Sequence, residues 1–91
     1  MSHLKSNKDQ LIARVRRIAG QMAAIERALD TDASCAAVLQ QVAALRGAIG
    51  GLMDEIVEDH VREHVARPDL TDEARAAGAE ELIAVIRRYA K

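Results

Sequence analysis

Cys35, His60 and His64 have the residue types and spacing that suit chemistry. His60 and His64 stand four residues apart. On a helix that spacing puts both imidazoles on one face about one turn apart, so both can reach one metal ion. Cys35 is the sole cysteine and follows Asp32 and Ser34, either of which suits a helix N-cap. In the first turn of that helix the dipole favours thiolate, the form that binds metal or acts as a nucleophile. The alternative for Cys35 is a small buried hydrophobe. His3 stands close enough to the chain-terminal amine for the two to chelate an ion, whether or not Met1 is removed; the alternative is a solvated tail histidine. The acidic run Asp54, Glu55, Glu58, Asp59 and Glu63 borders the His pair and reads mainly as solvated charge. Within it, Asp59 and Glu63 are placed to supply an oxygen ligand or to orient an imidazole.

These residues need a rod to hold them, and the pattern predicts one over 34–67. Apolar residues recur at Val38, Val42, Leu45, Ile49, Leu52 and Ile56, in steps of four and three that mark a helical seam. Cys35 lies three residues before Val38, and His60 and His64 take over where Leu or Val would continue the seam. Cys35 and His60 are 25 residues apart, roughly 37 Å at ~1.5 Å per residue, so they cannot meet within one helix. If they share a site, a second copy of the helix runs antiparallel beside the first, giving two equivalent sites about a two-fold axis. Gly47, Gly50 and Gly51 each cost about 1 kcal/mol of helix propensity, which makes sense if another backbone approaches closely there.

A helix over about 6–29 precedes this rod, with Ser6 as N-cap and Asp9 three residues on. Its seam is Leu11, Val15, Ile18, Met22, Ile25 and Leu29. Arg14, Arg17 and Gln21 lie off the seam with Arg16 beside them, either as a solvated polar face or as a surface for phosphates and base edges. Residues 1–29 carry six basic against two acidic groups and residues 30–91 carry seven against twelve, so a net charge of −1 hides a positive first third. A nucleic-acid protein needs only a local basic face. Pro68 ends the rod, and Asp69 or Thr71 caps a third helix over about 72–90. That helix has an apolar face of Ala74, Ala77, Leu82, Ile83, Ile86 and Tyr89, and reads as a packing and assembly element.

The chain of 91 residues fits one small all-α domain, 1–91. It is 49% apolar but only 1% aromatic, and so small a domain without aromatic anchors closes a core more readily by oligomerisation. No apolar run of about 18 residues and no secretory segment is read in the chain, which predicts a soluble, cytoplasmic protein with no membrane partner. A single cysteine agrees with a reducing compartment. No phosphate-binding glycine loop, catalytic carboxylate pair, helix-turn-helix signal or zinc-finger spacing occurs, and nothing resembling a substrate pocket accompanies Cys35. The sequence therefore predicts neither an enzyme nor a small-molecule substrate.

RVRRIAGQ at 14–21, Cys35 followed by AAVLQQVAALRGAIGGLM at 36–53, and the His60/His64 pair together resemble the CsoR/RcnR family of metal- or formaldehyde-responsive transcriptional repressors. The resemblance covers essentially the whole chain. It implies three helices per chain, an antiparallel helical-bundle dimer that assembles into a tetramer, and operator double-stranded DNA as partner. It further implies DNA contacts by Arg14, Arg16, Arg17, Gln21 and Arg46, with Lys5 and Lys8 supported by charge alone. The ligand set His3, Cys35, His60 and His64 is similar to the nickel/cobalt branch, whose mixed nitrogen and thiolate donors suit a six-coordinate ion. Such a repressor leaves its operator when Ni(II) or Co(II) binds and controls a metal efflux gene. RVRRI and ERALDTDASC at 26–35 are also similar to the formaldehyde branch, in which Cys35 would react covalently. Ser2 and His64 depart from the Pro and Glu of that branch. Zn(II) is a further alternative, because Cys35, His60 and His64 with one more donor make a tetrahedral set.

Overall fold

The computed structural model of the chain describes residues 7–89, which form three helices and no strand. These are α1 (Lys8–Asp30), α2 (Cys35–Val61) continuing into a π-helical turn (Arg62–Ala66), and α3 (Asp72–Tyr89). The fold is all-α, as the periodicity indicates. Ser6, the expected cap of α1, lies outside the described residues, and Asn7 occupies the N-cap position without a side-chain capping bond to the helix. The other two helices have side-chain caps. Ser34 Oγ accepts from the Ala37 N–H at 3.1 Å and opens α2, and Thr71 Oγ1 accepts from the Ala74 N–H at 3.1 Å and opens α3.

The turn from α1 to α2 is a Schellman motif. The Ala33 N–H donates to the Ala28 carbonyl at 2.9 Å and the Asp32 N–H to the Leu29 carbonyl at 3.3 Å. Asp32 takes the left-handed position usually given to glycine, at φ 56°. Asp is one of the few L-residues that tolerate it.

The described residues divide into two compact units, Asn7–Met53 and the residues that follow. In the first, α1 packs on the opening five turns of α2. The observed faces split both expected seams. On α1 the line turned inward is Leu11, Arg14, Ile18, Gln21, Ile25 and Ala28, while Val15, Met22 and Leu29 stay 50–62% exposed. On α2 the inward line is Val38, Gln41, Leu45, Ala48 and Leu52, and Leu39, Val42, Ile49 and Met53 face out. The apolar core is correspondingly thin: Leu11, Ile25 and Leu45 are the buried hydrophobic residues, at 6–8% exposure.

In the second unit, α3 packs against the π-helical turn. The expected single helix over 34–67 changes character at Arg62 because of Pro68. A proline has no N–H for the carbonyl four residues back, here that of His64, and its ring crowds that carbonyl. Arg67, just before it, is extended at φ −59° and ψ 127°. The Arg75 guanidinium on α3 donates to the carbonyls of Val65 and Leu70, satisfying acceptors that the broken ladder leaves. The displaced His64 carbonyl comes so close to α3 that a Cβ on Gly78 would stand 2.1 Å from its oxygen. Gly78 is therefore buried where only a bare Cα fits.

The stretch Cys35–Ala66 is long and apolar enough, by length and composition, to cross a membrane. This corrects the sequence expectation of no such stretch: Arg46 is the one charged residue between Cys35 and Met53. The core helix of a helical assembly has the same composition.

Candidate functional site

The π-helical turn and the last turn of α2 position the two histidines. His60 and His64 have ring centroids 5.0 Å apart and planes inclined by 41°, and both are half-buried. His60 Nε2 lies 2.8 Å from the Gly78 carbonyl oxygen. A carbonyl only accepts, so Nε2 is the donor in this hydrogen bond. The Glu81 carboxylate stands 4.0 Å from the same nitrogen, at the solvent edge. Asp59 alone of the acidic run is buried, with Arg62 Nη1 3.9 Å from its Oδ1. Glu63 pairs instead with Arg67 at 3.4 Å.

Sequence reasoning placed no chemistry on α3 and so missed Gly78 and Glu81. The glycine carried a signal. A mid-helix glycine among alanines costs propensity without packing benefit unless something needs the space.

Cys35 is the first residue of α2, one after the Ser34 cap, and its thiol is free and exposed. It stands at the opposite end of α2 from His60. Among the described residues no three His, Cys, Asp or Glu side chains gather into a metal-holding group. His3 and Lys5 lie outside the described residues.

The residues expected at a DNA surface fall into two groups. Arg16, Arg17 and Arg46 are exposed, as is Lys8 at the start of α1. Arg14 and Gln21 are half-buried on the inward line of α1. Arg14 Nη1 lies 2.9 Å from where a Cβ on Gly51 would stand, and Gln21 Oε1 is buried without a hydrogen-bond partner.

An all-α chain with paired histidines at a helix break, a capped surface thiol and exposed arginines on its first helix has the features of a ligand-responsive DNA-binding regulator. The chain belongs to the metal-sensitive transcriptional repressor family, whose match covers residues 7–88, in agreement with the CsoR/RcnR resemblance. It is 52% identical over all 91 residues, and over the full length of the other, to an uncharacterized protein in the bioA 5′ region of Serratia marcescens. It is 48% identical over 75 residues to the transcriptional repressor RcnR of Salmonella paratyphi B, covering 82% of this chain and 81% of that one. A glutamate-to-histidine variant of the formaldehyde-responsive regulator FrmR from Salmonella enterica serovar Typhimurium has a similar structure. Its TM-score is 0.84 at 44% identity, over 92% of this chain and 94% of that one.

Proposed function

We propose that this member of the family is a cytoplasmic repressor that leaves operator DNA when Ni(II) or Co(II) binds, and that it controls a metal efflux gene. The observation that carries the effector half is the His60/His64 pair, two half-buried imidazoles with ring centroids 5.0 Å apart on one helical face. The third donor is Cys35 of a second copy, brought to the pair by an antiparallel arrangement of two α2 helices, and His3 with the terminal amine completes the set. Nitrogen-rich sets with one thiolate suit borderline divalent ions, and membership of the metal-sensitive repressor family is in keeping with a metal effector. Zn(II) would use the same three side chains with one more donor.

The operator half rests on the exposed Arg16, Arg17 and Arg46, with the half-buried Arg14 and Gln21 in or behind that face by family resemblance. The assembly is a dimer of dimers, supported by the exposed lines Val15/Met22/Leu29 and Leu39/Val42/Ile49/Met53. No membrane, substrate or catalytic step belongs to the reading. By linkage, metal favours the DNA-free form by the same factor that DNA weakens metal.

The test is an anaerobic titration of the reduced protein with Ni(II) or Co(II), read by absorption, with and without DNA from upstream of its own gene. Thiolate-to-metal charge-transfer bands at one metal per chain, with release of the DNA, are expected. Equal metal affinity in the two conditions refutes the coupling.

A second reading is favoured by the exposed Cys35 thiol and by the similarity to the FrmR variant. Here the thiol adds to formaldehyde and an amine displaces water, leaving a methylene link. Mass spectrometry after aldehyde exposure, showing that link from the N-terminal amine to Cys35, would decide for it.

A further inference from the structure

Resting on the operator-binding reading above, we propose that Arg14 is a positioning residue and not a phosphate contact. It seats in the notch that Gly51 leaves on α2 and fixes the angle at which α1 presents Arg16 and Arg17. Three observations within the Asn7–Met53 unit carry this. Arg14 lies on the inward line of α1, between the buried Leu11 and the half-buried Ile18. Its Nη1 is 2.9 Å from the place a Cβ at Gly51 would occupy, so the guanidinium fills the space that glycine leaves. Gly47 and Gly50, within about one turn on the same helix, have nothing within 4 Å, so the notch is specific to Gly51.

A phosphate contact needs a guanidinium that reaches solvent. Arg16 and Arg17 have one, being exposed and turned roughly 200° and 300° around the helix from Arg14 at ~3.6 residues per turn. The flat, rigid fork of arginine can lie against bare backbone, and the compact ammonium of lysine cannot replace it there.

The experiment measures binding of a labelled mixed-sequence DNA duplex by fluorescence anisotropy over a salt series, on full-length variants whose helicity matches the parent by circular dichroism. Arg16→Ala and Arg17→Ala each flatten the slope of log K against log salt, by about 0.9 for every phosphate that the side chain neutralises. Arg14→Met and Gly51→Ala weaken binding severalfold with the slope unchanged, and Arg14→Lys does not restore it. Gly51→Ala is the sharpest arm, because it alters no charge. A slope that falls in Arg14→Met as it does in Arg17→Ala overturns the proposal, as does recovery in Arg14→Lys or parental affinity in Gly51→Ala.

A parent that binds no duplex would overturn the operator reading itself. The seat is then decided by urea denaturation. Gly51→Ala raises the midpoint in an Arg14→Met background and fails to raise it when Arg14 is present. Equal rises in both backgrounds overturn the seat.

Discussion

Replacing Gly78 by alanine tests whether the π-helical turn and α3 meet as closely as the geometry requires. The added Cβ would stand 2.1 Å from the His64 carbonyl oxygen and 2.8 Å from both its carbon and Cβ. Two of these atoms are backbone, held beside Pro68 and by the Arg75 bonds, so no flexible side chain can yield. Overpacking of this kind costs about 3 kcal/mol at the upper end of the usual range. Displacement of α3 also breaks the His60–Gly78 hydrogen bond of 2.8 Å, worth about 1 kcal/mol. Helix propensity returns about 1 kcal/mol for Gly→Ala. The net loss of about 3 kcal/mol lowers the thermal midpoint by roughly 12–24 °C at the ~4–8 °C per kcal/mol of a domain this size. Thermal unfolding by far-UV circular dichroism, at one fixed chain concentration because assembly shifts apparent stability, reads it directly. A Gly78→Ala chain as stable as the parent, or stabilised as an open helical glycine would be, refutes the close approach.

Three further outcomes follow from the caps, the turn and the exposed apolar lines. Ser34→Ala and Thr71→Ala each remove one capping bond, at 3.1 Å in both cases, and lower urea-unfolding stability by about 1 kcal/mol. Asp32→Val puts a β-branched residue at φ 56° and costs about 1–2 kcal/mol by the same measurement. Ile49→Glu changes a side chain that is 47% exposed in the single chain, so it leaves monomer helicity intact. In the proposed assembly it places a charge in the interface, and sedimentation shows the variant dissociating at chain concentrations where the parent stays associated.

The helices were legible in the sequence from local signatures: a four-three apolar rhythm in α1 and α2, the capping hydroxyls of Ser34 and Thr71, the Asx-rich turn after α1 and Pro68 after α2. The His pair was legible for the same reason, since i, i+4 spacing implies adjacency on any helix. The rest depended on tertiary information. A 3.5-residue seam defines a stripe about two side chains wide, and the sequence cannot say which edge faces which neighbour. Val15 and Arg14 occupy opposite edges of the stripe through Leu11 and Ile18. The chain turns the arginine edge inward, where Arg14 is half-buried, and exposes the valine edge, the reverse of what polarity suggests. The π-helical turn was hidden because Pro68 announces an end and not the strain four residues earlier at His64. Gly78 and Glu81 were hidden because their partner His60 lies on a different helix, 18 and 21 residues away in sequence.

The outward line of α2 runs Cys35, Leu39, Val42, Arg46, Ile49 and Met53, and its four apolar members are 44–61% exposed. Fully burying such a side chain is worth about 1.5–3 kcal/mol, so covering this line supplies a driving force for assembly. Whatever covers it also reaches Cys35, which ties the thiol's environment to association. Subunit complementation tests this tie. Cys35→Ser chains keep the histidines, and His60→Ala/His64→Ala chains keep the thiol. Neither alone forms a thiolate-to-metal band. After the two are unfolded together and refolded, mixed dimers of the proposed antiparallel kind each regain one whole site. Random pairing of equal amounts then restores about one quarter of the parental band, because half the dimers are mixed and each carries one intact site of two. No recovery on mixing, in chains that demonstrably exchange, would show that thiol and imidazoles never meet across two copies and would remove the metal site as proposed.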